Sequence, residues 1–182
     1  RAKPGTRSDR IFDVRSIPHA LSFIGRQRAE GKLTEVEIGY RQILGLEPEC
    51  LPAIVGYAEL MAARGEHEAS EKLLRRLIAK QGGSDTVWLA LGQCLALQRR
   101  WPEAEACCRR SLELNPRLAS AHYHIGMINE ARGDLAKARI NFRDALEIDP
   151  NHREARRRLV DDALKPAIRE SRRKTRFGEG AT

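Results

Sequence analysis

The chain has 182 residues and a formal net charge of +8, with 5% aromatic and 32% charged residues. No stretch approaches the roughly 18–20 apolar residues that a membrane helix needs, and no secretory signal is visible. Four cysteines do not make a disulfide framework in a chain of this size. They read instead as reduced thiols acting as small hydrophobes, which points to a reducing, cytoplasmic setting.

In chain order, residues 1–16 hold Pro4-Gly5 and carry five basic and two acidic side chains; they read as a basic linker. Arg1 is not an initiator methionine, so the expectation is a stretch cut from a longer polypeptide. Four segments follow: Ile17–Cys50, Leu51–Ser84, Asp85–Leu118 and Ala119–His152. Each is predicted to hold two amphipathic helices. In the third segment Trp88, Leu91, Gly92 and Leu95 fall at i, i+3, i+4 and i+7, which is one face of a helix. Gly31, Gly65 and Gly133 stand where that first helix must stop, a place glycine fills because it enters the left-handed region cheaply. In the fourth segment Ala138, Phe142, Ala145 and Leu146 form the stripe of the second helix. Pro48, Pro116 and Pro150 end the second helix, since proline cannot continue one. Residues 153–165 read as one more helix, with Ala155, Leu159, Ala163 and Leu164 apolar and Arg156-Arg157-Arg158 polar. That is a solvating cap. Pro166 breaks it, and residues 166–182 form a basic tail.

The four segments repeat at 34 residues. Leu91 aligns with Ile125, Gly92 with Gly126, Ala104 with Ala138, Leu112 with Leu146, Leu114 with Ile148 and Pro116 with Pro150. Small residues at Gly92, Gly126, Ala104 and Ala138 allow close helix approach. The departures are local. The second segment lacks the closing proline and has Gly82-Gly83, the third has Arg99 where the others have glycine, and Ile43 and Leu77 replace a small residue near the end of the second helix.

Trp88, Leu91, Gly92, Ala104 and Pro116 match the signature of the tetratricopeptide repeat, and the pattern over Ile17–His152 resembles that family. The resemblance implies an all-α fold, a right-handed superhelical solenoid of four helix pairs with a C-terminal capping helix. It further implies that the first helix of each pair lines a concave face through its second, fifth, ninth and twelfth positions. The fifth positions are Leu21, Val55, Leu89 and Tyr123, an apolar row; the ninth include Glu59, Gln93 and Met127. Those seven are the candidate peptide-binding residues. An apolar row on a solvent-facing groove suits an amphipathic helix or an apolar extended peptide; the competing reading is that the row braces neighbouring helices. Members of the family that grip a terminal carboxylate use Lys, Arg and Asn in the groove. Here Leu21, Gly25, Gly56, Thr86 and Ala90 occupy those positions, so that mechanism is rejected.

No phosphate-binding loop, nucleophile elbow or metal-ligand spacing occurs. His122 and His124 are two apart on one helix, so their side chains diverge. No cofactor and no enzyme activity are expected. Residues 153–182 carry ten basic and five acidic side chains, and residues 17–152 hold 18 of each sign. The net charge therefore sits on the flanks, where a non-specific polyanion contact could form. The leading reading is a protein-interaction scaffold that takes a partner helix or peptide in the concave groove. The alternative is a regulatory or targeting domain of a larger enzyme, such as a glycosyl- or sulfotransferase.

Overall fold

A computed structural model of the chain describes residues 16–161. The basic tail at 166–182, nearly all of the linker and the end of the capping helix lie outside the described residues. Among the described residues there are eight bounded helices and no strand. They are α1 Ile17–Ala29, α2 Leu33–Leu46, α3 Leu51–Ala63, α4 His67–Gln81, α5 Asp85–Leu97, α6 Trp101–Leu114, α7 Ala119–Ala131 and α8 Leu135–Ile148. Residues 153–161 are helical as well. The odd helices start at 17, 51, 85 and 119 and the even ones at 33, 67, 101 and 135, so both members of a pair recur every 34 residues.

Local chemistry sets these ends. The Ser16, Ser84 and Asp134 side chains accept the His19, Val87 and Lys137 backbone N–H groups at the starts of α1, α5 and α8, each satisfying an orphan donor. The turn from odd to even helix is one structure used four times. The N–H of Lys32, Glu66, Arg100 and Asp134 donates to the carbonyl of Gln27, Met61, Leu95 and Asn129, five residues earlier. This closure requires a left-handed residue just before the donor. Gly31, Gly65 and Gly133 supply it, with φ of 75°, 87° and 84°. Arg99 adopts it too, at φ 60°, although a Cβ makes that conformation cost roughly 1 kcal/mol. The turn geometry, rather than the residue, is what the fold keeps. With no proline to stop it, α4 runs 15 residues against 14 for the other even helices and ends on Gly82 in the left-handed region.

Helices this short are marginal alone, so packing must hold them. Contacts divide the chain into two compact units, Arg1–Arg100 and Trp101–Thr182. In the first, Ala20, Ile24, Val36, Tyr40, Ile43, Ala53 and Leu60 form one buried cluster. The Tyr40 ring fits because residue 56 is glycine: a Cβ there would lie 2.3 Å from Tyr40 Oη. In the second pair the close approach is polar, with Ser70 Oγ donating to the Ala58 carbonyl at 2.8 Å inside the core. In the second unit, Ala138, Phe142, Ala145 and Ala155 cluster, which fastens the helix at 153–161 to α8. The small residues Gly92, Ala104 and Ala138 are all buried.

A second periodic feature joins successive pairs. Glu37, Glu71 and Glu105 stand 34 residues apart, each near the start of an even helix. Each accepts from the arginine one turn on, Arg41, Arg75 or Arg109, at 2.7–2.9 Å. Each also accepts from an arginine at the end of the next odd helix: Arg64 for Glu37, Arg100 for Glu71 and Arg132 for Glu105. Gln98 adds a further donor to Glu71 at 3.1 Å. In α8 the corresponding residues are Arg139 and Arg143, and the series ends there.

Candidate peptide-binding surface

The candidate residues of the first unit lie along three helices at intervals of four, so each helix presents them as one stripe. The stripes are Leu21, Gly25 and Ala29 on α1, Val55, Glu59 and Ala63 on α3, and Leu89, Gln93 and Leu97 on α5. Burial along them is uneven. Leu21 is half-buried and packs on the core cluster, and Val55 is half-buried. Leu89 is only 7% exposed, so at that position the row is nearly covered by its neighbours. The stripe on α5 emerges from the core toward its C-terminal end, where Leu97 is 56% exposed. Leu97 falls outside the fifth- and ninth-position rows and lies one i+4 step beyond Gln93.

One ion pair crosses this face. Arg28 Nη1 donates to Glu59 Oε2 at 2.9 Å. Burial works against the Arg28 charge, but the hydrogen bond and charge of Glu59 outweigh it and hold the guanidinium above its ordinary range. Burial raises the neighbouring Tyr40 phenol. Both groups keep their neutral-pH charge states. The face thus presents the small exposed residues Gly25, Ala29 and Ala63, a bridging ion pair and the large exposed apolar side chain of Leu97.

In the second unit Tyr123 and Met127 pack against the Ala138–Phe142 cluster. The Tyr123 ring lies 5.7 Å from Phe142 and 4.9 Å from His152. His124 is edge-on to Tyr123 at 5.2 Å. Burial, and then the charge of His152, pull His124 down to about 4. His152 Nδ1 accepts the Ala155 N–H at 3.3 Å, at the start of the helix at 153–161. His122 instead lies 3.8 Å from Asp144. The two histidines of α7 thus face different neighbours.

Among the described residues no group of three or more His, Cys, Asp or Glu side chains could hold a metal ion, and no helix is long and apolar enough to cross a membrane. None of the four cysteines forms a disulfide, and Cys94, Cys107 and Cys108 are buried. Burial, with Cys107 and Glu105 nearby, pushes the Cys108 thiol up to about 12. A thiol so fully protonated at neutral pH is a packing group and a poor nucleophile.

Two family models, both described as tetratricopeptide repeat, match residues 51–94 and 83–151. Tetratricopeptide repeat protein 8 of Caenorhabditis elegans is 29% identical over 131 residues, 71% of this chain and 26% of that protein. Protein NPGR2 of Arabidopsis thaliana is 30% identical over 152 residues, 79% of this chain and 20% of that protein. A probable UDP-N-acetylglucosamine–peptide N-acetylglucosaminyltransferase SPINDLY of Hordeum vulgare is 26% identical over 99 residues, 54% of this chain and 10% of that protein. The chain thus spans about a quarter or less of the length of these curated relatives. Among solved structures, TTC0263, a thermophilic TPR protein of Thermus thermophilus, superposes with a TM-score of 0.67 at 18% identity, over 74% of this chain and 75% of that one. The first TPR of Spaghetti (RPAP3) bound to an HSP90 peptide superposes with a TM-score of 0.56 at 17% identity, over 63% of this chain and 90% of that one.

Proposed function

This chain belongs to the tetratricopeptide repeat family, and from that premise we propose that it is a non-enzymatic scaffold that docks a partner peptide or helix on the odd-helix face of its first unit. The observation that carries the reading is Leu97. A leucine more than half exposed, in line with Gln93 and on the helix packed against the one that carries Glu59, gives a partner one apolar contact and a polar edge. Burying such a side chain contributes roughly 1.5–3 kcal/mol. Gly25, Ala29 and Ala63 are small and exposed, which leaves room for main chain to lie close. Leu21, Val55, Glu59 and Gln93 form the contact set, with Leu89 beneath it; Tyr123 and Met127 hold the corresponding positions of the second unit. The peptide seen on Spaghetti (RPAP3) supports a peptide as ligand class. The groove positions used for carboxylate capture hold no cation here, which favours an internal amphipathic segment over a free C-terminus. The reduced thiols favour a cytoplasmic setting.

A photo-crosslinking side chain placed at Gln93 tests the site. It should capture a discrete partner in the source cell, and Leu97→Asp should abolish the adduct with an unchanged melt. A crosslinker at Arg110, on the even-helix face, should capture nothing comparable. Adducts from Arg110 alone would put the interaction elsewhere.

A second reading, a targeting domain of a larger enzyme, is favoured by the similarity to SPINDLY. The complete gene separates the two: a catalytic domain on the same polypeptide supports the second reading.

A further inference from the structure

We propose that the cleft between α2, α3 and α4 is a separate docking site for an acidic protein segment that carries one large apolar side chain. The cleft encloses about 370 Å³, a size suited to a ligand group. Leu44, Ile54, Leu73 and Leu77 line it, and Arg76 and Lys80 stand on its rim. Glu49, on the same rim, pairs with Lys80, so the charges of these two offset each other. Lys72 is exposed one turn before Arg76. Lys72 and Arg76 thus follow one another at an interval of four along α4, about 6 Å apart. A cationic stripe beside an apolar cleft suits a polypeptide, which can offer carboxylates and one apolar side chain together. None of the lining residues belongs to the candidate surface on the odd helices, so the inference stands apart from the proposed groove.

A comparison within the chain gives the cleft its meaning. The second unit has a cleft of about 410 Å³ that shares four of these repeat positions and is lined besides by Arg109, Glu113 and Ile125. Leu112 there corresponds to Leu44. His122, however, takes the place of Ile54, Asn141 that of Leu73 and Asp144 that of Arg76. His122 and Asp144 lie 3.8 Å apart across it. A cleft therefore forms here even with His122 and Asn141 in place of two apolar wall residues and Asp144 in place of Arg76; the cation that lines it, Arg109, is held by Glu105. In the first unit the walls suit Leu, Ile, Phe or Met and the rim suits Asp and Glu. A basic segment meets like charge there.

The test uses the full chain and a fluorescent ten-residue peptide with one leucine flanked on each side by glutamates. Controls replace the glutamates with lysines, or the leucine with serine. The protein variants are Leu73→Asn with Arg76→Asp, residues that α8 already carries at the same positions, and Leu97→Asp on the other surface. In fluorescence anisotropy near physiological salt, the acidic peptide should bind at least about tenfold tighter than either control. The cleft variant should lose about tenfold or more, and Leu97→Asp should bind like wild type. If the double variant melts early, Lys72→Glu with Arg76→Asp, both at exposed positions, gives the same readout. No saturable binding by about 1 mM, equal binding of the lysine peptide, an unaffected cleft variant, or loss in Leu97→Asp instead would each overturn the proposal.

Discussion

Gly126 and Phe142 compete for one space: a Cβ on residue 126 would lie 2.5 Å from Phe142 Cε1. No real Cβ sits so close to a ring, and Phe142 is buried in the cluster that also holds Ala138, Ala145 and Ala155. Gly126→Ala must therefore shift α7 from α8 or drive Phe142 off its rotamer. The expected cost is about 1–3 kcal/mol in urea unfolding, even though alanine is the better helix former by about 1 kcal/mol. Combining it with Phe142→Leu should recover part of the loss. An unchanged midpoint for Gly126→Ala would mean that the ring moves aside freely.

The carboxylates that join successive pairs should matter more than the ion pairs around them. The Glu71 side chain is 15% exposed and accepts from Arg75, Arg100 and Gln98. Burial opposes its charge, yet these donors and the Arg100 charge outweigh it and hold the carboxyl below its ordinary range. Glu71→Ala strands two guanidinium groups and should cost about 1–2 kcal/mol. Glu113 pairs with Arg110 in the open, and Glu113→Ala should cost less than about 0.5 kcal/mol. Thermal melts of the two variants decide the matter; equal effects would reduce the periodic series to surface decoration.

Arg99 offers a stabilising change. It holds the left-handed backbone at φ 60° that glycine holds in the equivalent turns. Arg99→Gly should raise stability by about 0.5–1 kcal/mol, the relief of strain exceeding the added freedom of the unfolded chain. The melting temperature is the readout, and a fall would show that the arginine side chain contributes more than its backbone loses.

His124 makes stability depend on mild acid. An unfolded histidine titrates near 6.5, and the folded one near 4, through burial and the proximity of His152. The fold thus favours the neutral ring. Its contribution is complete above about pH 6.5 and is lost as the pH falls from 6.5 to about 4. Urea midpoints between pH 7.5 and 4.5 should drop more steeply in the wild type than in His124→Asn. Parallel slopes would assign the acid sensitivity to other groups.

Much of this architecture is legible in the chain itself. Gly31 and Gly65 stand 34 residues apart and Gly133 two periods beyond Gly65, which is the spacing of the left-handed turns between odd and even helices. Arg99 shows the reverse: its turn forms although the residue argues against it. The candidate surface was harder to read. Periodicity says which residues share a helix face, but not which neighbour covers that face. Leu89 stands at the same repeat position as Val55 and is nonetheless buried. The glutamate series at 37, 71 and 105 was in plain view as a period. It was hidden by summing charge over regions, where 18 positive and 18 negative side chains cancel.

That series also gives the chain a modular grammar. At each joint the carboxylate comes from an even helix and a cation from the end of the next odd helix, one pair further along. Duplicating or losing a whole 34-residue unit between Glu37 and Glu105 would set like joint beside like joint, with the same kinds of side chain meeting. A change of any other length would put them out of phase. The chain can therefore grow or shorten in whole units during evolution without redesign of its joints, until it reaches Arg139, where a unit of the same kind would bring its own arginine against another.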